Sequence, residues 1–181
     1  SVDANLNWTR RFDHMQQHTG QHILSQAFLQ VAEATTVGFH LSPDRVTIGL
    51  NQIDLAEQAI ANAEQLANEV VIGNHSVRAW FPEPEELEQL QLRKTPELDG
   101  KLCVVAIGDF DLTACGGTHV AATGELGMIK IIKAERHRGR QRVEFRCGWR
   151  ALQDYSQKNT VINRLSRDLT CGYWELNEAV G

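Results

Sequence analysis

The chain has 181 residues, of which 42% are hydrophobic and 23% are charged, and these fractions exclude a disordered protein. At this length one domain with a short appendage buries enough surface to fold without disulfides. The longest apolar runs, such as residues 102–107, fall well short of the roughly 18 residues that cross a membrane, so we expect no membrane partner. Four widely spaced cysteines and the lack of a secretion signal favour a reducing, cytoplasmic location.

The net charge of −5 is unevenly distributed along the chain. Residues 130–150 contain eight basic and two acidic residues, a local charge of +6, whereas residues 83–99 contain six acidic and two basic residues, a local charge of −4. The average charge argues against indiscriminate nucleic-acid binding, but the basic segment allows an anionic ligand on one face.

Hydrophobic periodicity predicts a mixture of helices and strands. In chain order we expect a helix over 13–34, strands over 36–41 and 45–51, a helix over 54–70, a strand over 76–81, a short acidic helix over 85–91, a strand over 102–107, a loop over 108–117, strands over 128–134 and 141–146, and a helical segment over 149–181. This order does not alternate regularly, so the predicted fold class is α+β, with a mostly antiparallel sheet and an extra C-terminal helix. We expect residues 1–148 to form the functional domain and 149–181 to lead to a further domain.

Two positions in these helices carry specific expectations. Gly20 costs about 1 kcal/mol relative to alanine inside a helix, which indicates that another group approaches this turn closely. Asp54 and Glu57 are spaced as in a capping box, which predicts that the second helix starts at Asp54.

Histidines are concentrated near the start of the first predicted helix. His18 and His22 lie four residues apart, so their rings project from one face and can hold one metal ion, and His14 lies one turn earlier on that face. The H-E-x-x-H motif of metalloproteases uses this spacing, but Thr19 stands where that motif has its glutamate base, which argues against a protease. Alternatively, the two histidines are partly buried polar residues without a ligand.

A second group of candidate ligands, Cys115 and His119, lies in and beside the predicted loop and encloses two glycines. The glycines allow the loop to fold back, so that thiolate and imidazole converge on one ion. Together with the two helix histidines they form a soft nitrogen and sulfur donor set that favours zinc, which makes the first helix a metal-bearing one. Gly116 and Gly117 either bring backbone N–H groups to a ligand, as in an oxyanion site, or only form the turn.

Several segments resemble the editing domain of alanyl-tRNA synthetase and the related free-standing alanyl-tRNA editing proteins. The segments are residues 11–24 (RFDHMQQHTGQHIL), 37–41 (VGFHL) and 114–120 (ACGGTHV), with 127–145 similar to the strand pair that follows in that family. The resemblance covers about residues 8–148, and its paired H-x-x-x-H and C-x-x-x-H signature also occurs in threonyl-tRNA synthetase editing domains. The chain departs from the common form at Gly20-Gln21, where synthetases have Ala-Thr, and at Gly49, where relatives often have Asp.

The resemblance implies that zinc is bound by His18, His22, Cys115 and His119. It also implies zinc-dependent hydrolysis of the ester that joins serine or glycine to alanine tRNA. A catalytic zinc usually keeps one position open for water, whereas four protein ligands close the site. We expect three firm ligands, with either His18 or His119 as a weak or displaced fourth.

The remaining candidate residues flank the metal motifs or lie on the predicted basic hairpin. The candidates are Gln21, His40 and Thr118 as catalytic residues, Thr35, Thr36, Gly116 and Gly117 as substrate contacts, and Arg136, Arg138, Arg140 and Arg142 as contacts to tRNA phosphates. A threonine hydroxyl suits selection of serine over alanine, because a polar group left unpaired by the smaller substrate is penalised. The alternative for each is a solvated polar side chain.

The sequence therefore predicts a zinc-dependent hydrolase of mischarged alanine tRNA. One alternative is an editing hydrolase for another aminoacyl ester. The other is a tRNA- or protein-binding module in which the zinc is structural.

Overall fold

The computed structural model describes residues 3–94 and 101–181, and its strands form two antiparallel sheets. The strands are β1 (Thr36–Leu41), β2 (Val46–Leu50), β3 (Val77–Trp80), β4 (Val104–Ile107), β5 (Asp111–Ala114), β6 (Ile129–His137) and β7 (Arg140–Cys147). The first sheet has the order β1-β2-β7-β6 and the second has the order β3-β4-β5. The predicted α+β class with antiparallel pairing is confirmed.

The described part of the chain contains five α-helices. They are α1 (Trp8–Ala32), α2 (Glu57–Ile72), α3 (Pro84–Leu87), α4 (Gly148–Asp168) and α5 (Leu176–Val180), with 3-10 turns at Thr123–Leu126 and Tyr173–Glu175. Within the described ranges, none of these helices combines the length and apolarity needed to cross a membrane. The division of the chain at residue 148 stays a prediction.

The apolar core lies where α1 and α2 pack on the first sheet. Its fully buried side chains include Ile23, Leu24 and Phe28 from α1, Ala63 and Ala67 from α2, and Ile48, Val143 and Phe145 from the sheet. Burial of each large apolar side chain contributes about 1.5–3 kcal/mol, so this face of α1 holds the helix firmly on the sheet.

A buried amide fixes the position of α1 against the end of β7. Gln17 is fully buried, and its side chain donates to the Cys147 carbonyl at 3.0 Å and accepts from the Cys147 N–H at 2.9 Å. Three residues later, a Cβ on Gly20 would lie 2.2 Å from Sγ of Cys147. The predicted close approach at Gly20 is confirmed, and the neighbouring group is a thiol.

The ends of α1 differ from the predicted ones. The helix begins at Trp8, five residues earlier than predicted, because the Asn7 side chain caps it by accepting from the Arg10 N–H. It ends at Ala32, because Glu33 adopts the left-handed conformation with a φ of 51°.

The prediction that Asp54 starts the second helix is wrong. Helix α2 begins at Glu57, and its N-cap residue, Ala56, makes no side-chain capping hydrogen bond. The Asp54 carboxylate instead forms an ion pair with Arg136 on β6. A tertiary ion pair has therefore replaced the local cap.

Part of the predicted loop over 108–117 is strand β5, which pairs with β4. Asp111 begins this strand although it is charged, because its buried carboxylate is paired with Arg93. The polar residue that interrupts the apolar pattern is thus an internal ion-pair partner and does not mark a loop.

The predicted helical segment over 149–181 is interrupted. Helix α4 ends at Asp168, Thr170 adopts a left-handed φ of 52°, and the Cys171 N–H bonds to the Ser166 carbonyl at 3.0 Å. This pattern of bonds closes a helix without glycine, so the sequence carried no obvious stop signal.

Candidate metal centre

The structure brings together the four residues that the sequence predicted as ligands. His18 and His22 lie on α1, and Cys115 and His119 lie in the segment that follows β5. One ligand atom from each of these residues, called here the His/Cys cluster, lies within 4.8 Å of the other three. Sγ of Cys115 is 3.4 Å from Nε2 of His18, and the His18 and His119 ring centroids are 4.4 Å apart.

Two imidazoles of the cluster have a buried nitrogen without a partner. Nε2 of His22 and Nε2 of His119 make no hydrogen bond to the described residues. A buried polar atom left unpaired costs about 1–3 kcal/mol, so this arrangement is unfavourable unless a ligand supplies a partner. Imidazole nitrogen and thiolate sulfur are the ligands that zinc takes in proteins, and the donor set fits a metal ion.

The cysteine of the cluster is held as a thiolate. Burial alone would raise the pKa of the Cys115 thiol, but the three neighbouring imidazoles outweigh burial and lower that pKa to about 3. Burial, together with the nearby His22 and His18, lowers the pKa of His119 and favours its neutral form. Thiolate and neutral imidazole are the protonation states that bind metal ions.

Two groups outside the cluster contact the Nδ1 atoms of His119 and His22 and orient these rings. Thr19 Oγ1 lies 3.3 Å from Nδ1 of His119 and accepts the Val120 N–H at 3.2 Å. The residue that replaces the protease glutamate therefore has a positioning contact. The other group, an ion pair between Asp111 and Arg93, lies behind His22.

The ion pair behind His22 is buried and bidentate. Asp111 accepts from Nε of Arg93 at 2.7 Å and from Nη2 at 3.1 Å, and its side chain is 1% exposed. Nδ1 of His22 lies 3.7 Å from the carboxylate and 3.3 Å from Nη2 of Arg93. Burial alone would raise the pKa of Asp111, but His22 and Arg93 lower it, so the carboxylate is charged. Burial alone would lower the pKa of His22, but Asp111 and Cys115 raise it.

Sequence analysis missed Arg93 and Asp111. The two residues are 18 positions apart and belong to no motif, and they meet because the Arg93 N–H bonds to the Leu112 carbonyl at 2.7 Å. The one local signal is an acid four residues before Cys115.

The two loop glycines have different surroundings. A Cβ on Gly117 would lie 2.1 Å from Cε1 of His18, whereas a Cβ on Gly116 would meet no atom within 4 Å. The Gly117 N–H donates to Sγ of Cys115 at 3.5 Å. Gly117 is therefore needed for close approach to the cluster, and its N–H serves the thiolate. Thr118, between the glycines and His119, is exposed.

A small cavity of about 170 Å³ lies beside His22. Gln21 and Thr36 both line it, and both donate to the hydroxyl of Ser25, at 2.9 and 2.7 Å. Ser25 is buried and was missed by sequence analysis. Thr35 lines a neighbouring cavity, and its N–H is bonded to the Asn51 side chain.

His40 is the candidate that the structure places away from the cluster. The Phe39 ring stacks on His18, with centroids 5.6 Å apart and planes 11° apart. Since successive side chains of a strand point to opposite faces, His40 faces the other side of β1, where it is exposed.

The four candidate arginines on the β6–β7 hairpin fall into two pairs. Arg136 is paired with Asp54, and Arg142 is paired with Glu135. Arg138, in the turn, and Arg140, the first residue of β7, are exposed and form no ion pair with the described residues.

Comparison with known proteins finds relatives over most of the chain. The model of the family described as the threonyl and alanyl tRNA synthetase second additional domain matches residues 102–144. The chain is 36% identical over 177 residues to the alanyl-tRNA editing protein AlaX-L of Pyrococcus horikoshii, an alignment that covers 96% of this chain and 41% of that protein. It is 34% identical over 176 residues to an alanine–tRNA ligase of Pyrococcus furiosus, which covers 93% of this chain and 19% of the ligase.

A mammalian relative shows the same relationship. The chain is 31% identical over 183 residues to an alanyl-tRNA editing protein of Bos taurus, with 99% of this chain and 41% of that protein covered. The chain thus spans less than half the length of these three relatives. Over nearly its whole length the chain is therefore related to alanyl-tRNA editing proteins and to alanine–tRNA ligases, and its residues 102–144 match the second additional domain of the threonyl and alanyl tRNA synthetases.

Proposed function

We propose that the chain hydrolyses the ester of mischarged alanine tRNA, with Ser-tRNA(Ala) or Gly-tRNA(Ala) as substrate and zinc as cofactor. The observation that supports this is the convergence of a thiolate with two imidazoles whose buried nitrogens are unpaired. The relatives named as alanyl-tRNA editing proteins support the reaction type.

The His/Cys cluster would hold the zinc ion. A bound zinc polarises an ester carbonyl and lowers the pKa of a bound water towards 7. The chain's contribution is orientation: Thr19 fixes the His119 ring, and the Asp111–Arg93 pair fixes His22. Gly117 allows the loop to lie directly against His18.

The cavity beside His22 would receive the amino acid of the substrate. The Thr36 hydroxyl and the Gln21 amide line it, and both can exchange hydrogen bonds with a serine hydroxyl. Alanine leaves such groups without a partner, and a site built around a substrate hydroxyl rejects its deoxy analogue by up to about 10⁴–10⁵-fold. This selection applies to the serine ester and does not extend to glycine, which also lacks a hydroxyl. Gln21 and Thr36 are then the specificity residues, and Thr118 is an exposed residue next to His119.

A structural zinc is the competing interpretation, because four protein ligands close a tetrahedral site. Cys115→Ala separates the two. For a catalytic site we expect hydrolysis to be lost while the melting temperature of the protein stays within about 3 °C of the unsubstituted chain, since Cys115 is not part of the apolar core. For a structural zinc the melting temperature falls sharply, as it does after chelation.

Cys103→Ala is the matched control for this experiment. The Cys103 carbonyl accepts the Cys115 N–H at 2.9 Å, so the control removes a thiol from the neighbouring position without touching the cluster. It should retain hydrolysis. A cytoplasmic location also belongs to the proposal, because a reducing compartment keeps the Cys115 thiolate available.

A further inference from the structure

The first sheet carries a groove on the face opposite α1. This basic groove has a volume of about 380 Å³, and its lining includes Val37, Gly38, Gly49, Arg138, Arg140 and Arg142. It lies between the edge strand β1 and the β6–β7 hairpin.

The floor of the basic groove is bare backbone. Gly38 and Gly49 are directly opposite each other across the β1–β2 ladder, so both present the same face. Ile48, next to Gly49, is fully buried in the core, which places the glycine pair on the outer face. A Cβ on Gly38 would meet no atom within 4 Å, and one on Gly49 would come no closer than 3.9 Å to its nearest neighbour. Side chains larger than hydrogen at these two positions would fill the space above the two strands, and the glycines leave that space open.

The unneutralised charge of the basic groove comes from Arg138 and Arg140. Arg142 also lines the groove, but Glu135 pairs with it, and hydrogen bonds from Lys133 and Arg142 lower the pKa of Glu135 to about 2. Glu135 therefore stays charged near neutral pH, and its carboxylate is shared by Arg142, Lys133 and Arg45. Two exposed guanidinium groups beside an open floor are suited to phosphate, which arginine binds through paired hydrogen bonds.

The basic groove is continuous with the cavity beside His22. Val37 and Gly38 line both of them, because they lie on the edge strand that separates the two faces of the sheet. A chain that follows the groove over the edge of β1 at these two residues reaches the His/Cys cluster.

We propose that the basic groove binds the sugar–phosphate backbone of the tRNA 3′ end. Arg138 and Arg140 hold its phosphates, the backbone passes over Gly38 and Gly49, and the terminal nucleotide reaches the cavity beside His22. This inference rests on the proposed function and adds a route for its substrate. The contacts are to backbone, so the groove contributes affinity and direction and does not read the sequence.

The test is the binding of an uncharged RNA hairpin with a single-stranded 3′ end, measured by fluorescence anisotropy at several salt concentrations. The double variant Arg138→Gln/Arg140→Gln should bind about tenfold more weakly at 0.1 M salt. The slope of log K against log salt should become less steep by about 1.5, the value expected for two lost phosphate contacts. Arg164→Gln/Arg167→Gln is the matched control, because it removes the same charge from exposed positions of α4, and it should bind within twofold of the unsubstituted chain.

A second variant tests the floor of the groove. Gly38→Val places a side chain that suits a strand into the open space, so the protein should keep its circular dichroism spectrum and zinc content but bind the RNA several-fold more weakly. The inference is overturned if the unsubstituted chain does not bind the RNA. It is also overturned if both groove variants bind the RNA as tightly as the control variant does. The RNA carries no amino acid, so its binding does not depend on hydrolysis. If the chain binds the RNA through the groove but does not hydrolyse the charged ester, the proposed function is refuted and the groove inference stands.

Discussion

Replacing Gly20 with alanine forces a methyl group of α1 against the end of β7. The new Cβ would lie 2.2 Å from Sγ of Cys147 and 3.3 Å from a methyl group of Leu126. Cys147 cannot easily withdraw, because the Gln17 amide holds both its N–H and its carbonyl. We therefore expect the added atom to strain the core.

The expected loss combines two opposing effects. Alanine is favoured over glycine by about 1 kcal/mol inside a helix, whereas overpacking a well-packed core costs about 1–3 kcal/mol. With Cys147 held in place the strain lies at the upper end, so Gly20→Ala should reduce the free energy of unfolding by about 1–2 kcal/mol. For a chain of this size that corresponds to a fall in melting temperature of about 3–6 °C.

The assay is urea unfolding followed by circular dichroism, with metal removed from every sample. Cys147→Ala removes the sulfur that the new methyl meets, so the double variant Gly20→Ala/Cys147→Ala should recover stability, with a coupling energy of about 2 kcal/mol between the two substitutions. Gly38→Ala is the control, because its Cβ meets no atom within 4 Å, and it should not lower stability. Gly20→Ala variants that are as stable as the unsubstituted chain, or strictly additive double variants, would refute the reasoning.

Two further predictions follow from buried groups. Asp111→Asn should weaken zinc binding about 10–100-fold in competition with a chelator, because a neutral amide orients His22 less firmly. Asp109→Asn is the control, since it changes an exposed carboxylate and should leave zinc affinity unchanged. Equal zinc affinities of the two variants would contradict the positioning role of Asp111. Burial raises the pKa of the Cys147 thiol, so this thiol stays protonated in the folded protein at pH 9. In the unfolded chain the thiol ionises above about pH 8.5, and the free energy of unfolding therefore declines as the pH rises above that value. Peptide mapping after iodoacetamide treatment at pH 9 should find Cys147 unmodified until denaturant is added, and rapid modification of the folded protein would contradict this.

The residues of the His/Cys cluster could be predicted because each half is local in sequence. His18 and His22 are brought together by one turn of helix, and Cys115 and His119 by one glycine-rich turn. Donor chemistry and the family resemblance then suffice to join the halves. The strands of the first sheet were predictable for a related reason, since apolar residues alternate with polar or small ones along most of each strand.

The groups around the cluster could not be predicted in the same way. Arg93 meets Asp111 only after its segment has bonded to Leu112 of β5, and Ser25 meets Thr36 only after β1 has packed against α1. Asp54 resembles a helix cap until Arg136 is brought beside it. In each case a contact between distant segments decides the role of a polar residue, and the local sequence pattern does not indicate that contact.

Zinc-dependent editing is tested by incubating the chain with Ser-tRNA(Ala) and Ala-tRNA(Ala) while zinc is quantified in the same sample. We expect rapid loss of the serine ester, a stable alanine ester, about one zinc ion per chain and inhibition by a chelator. Stable serine ester in the presence of bound zinc would contradict zinc-dependent editing, and the structural-zinc interpretation would then take its place.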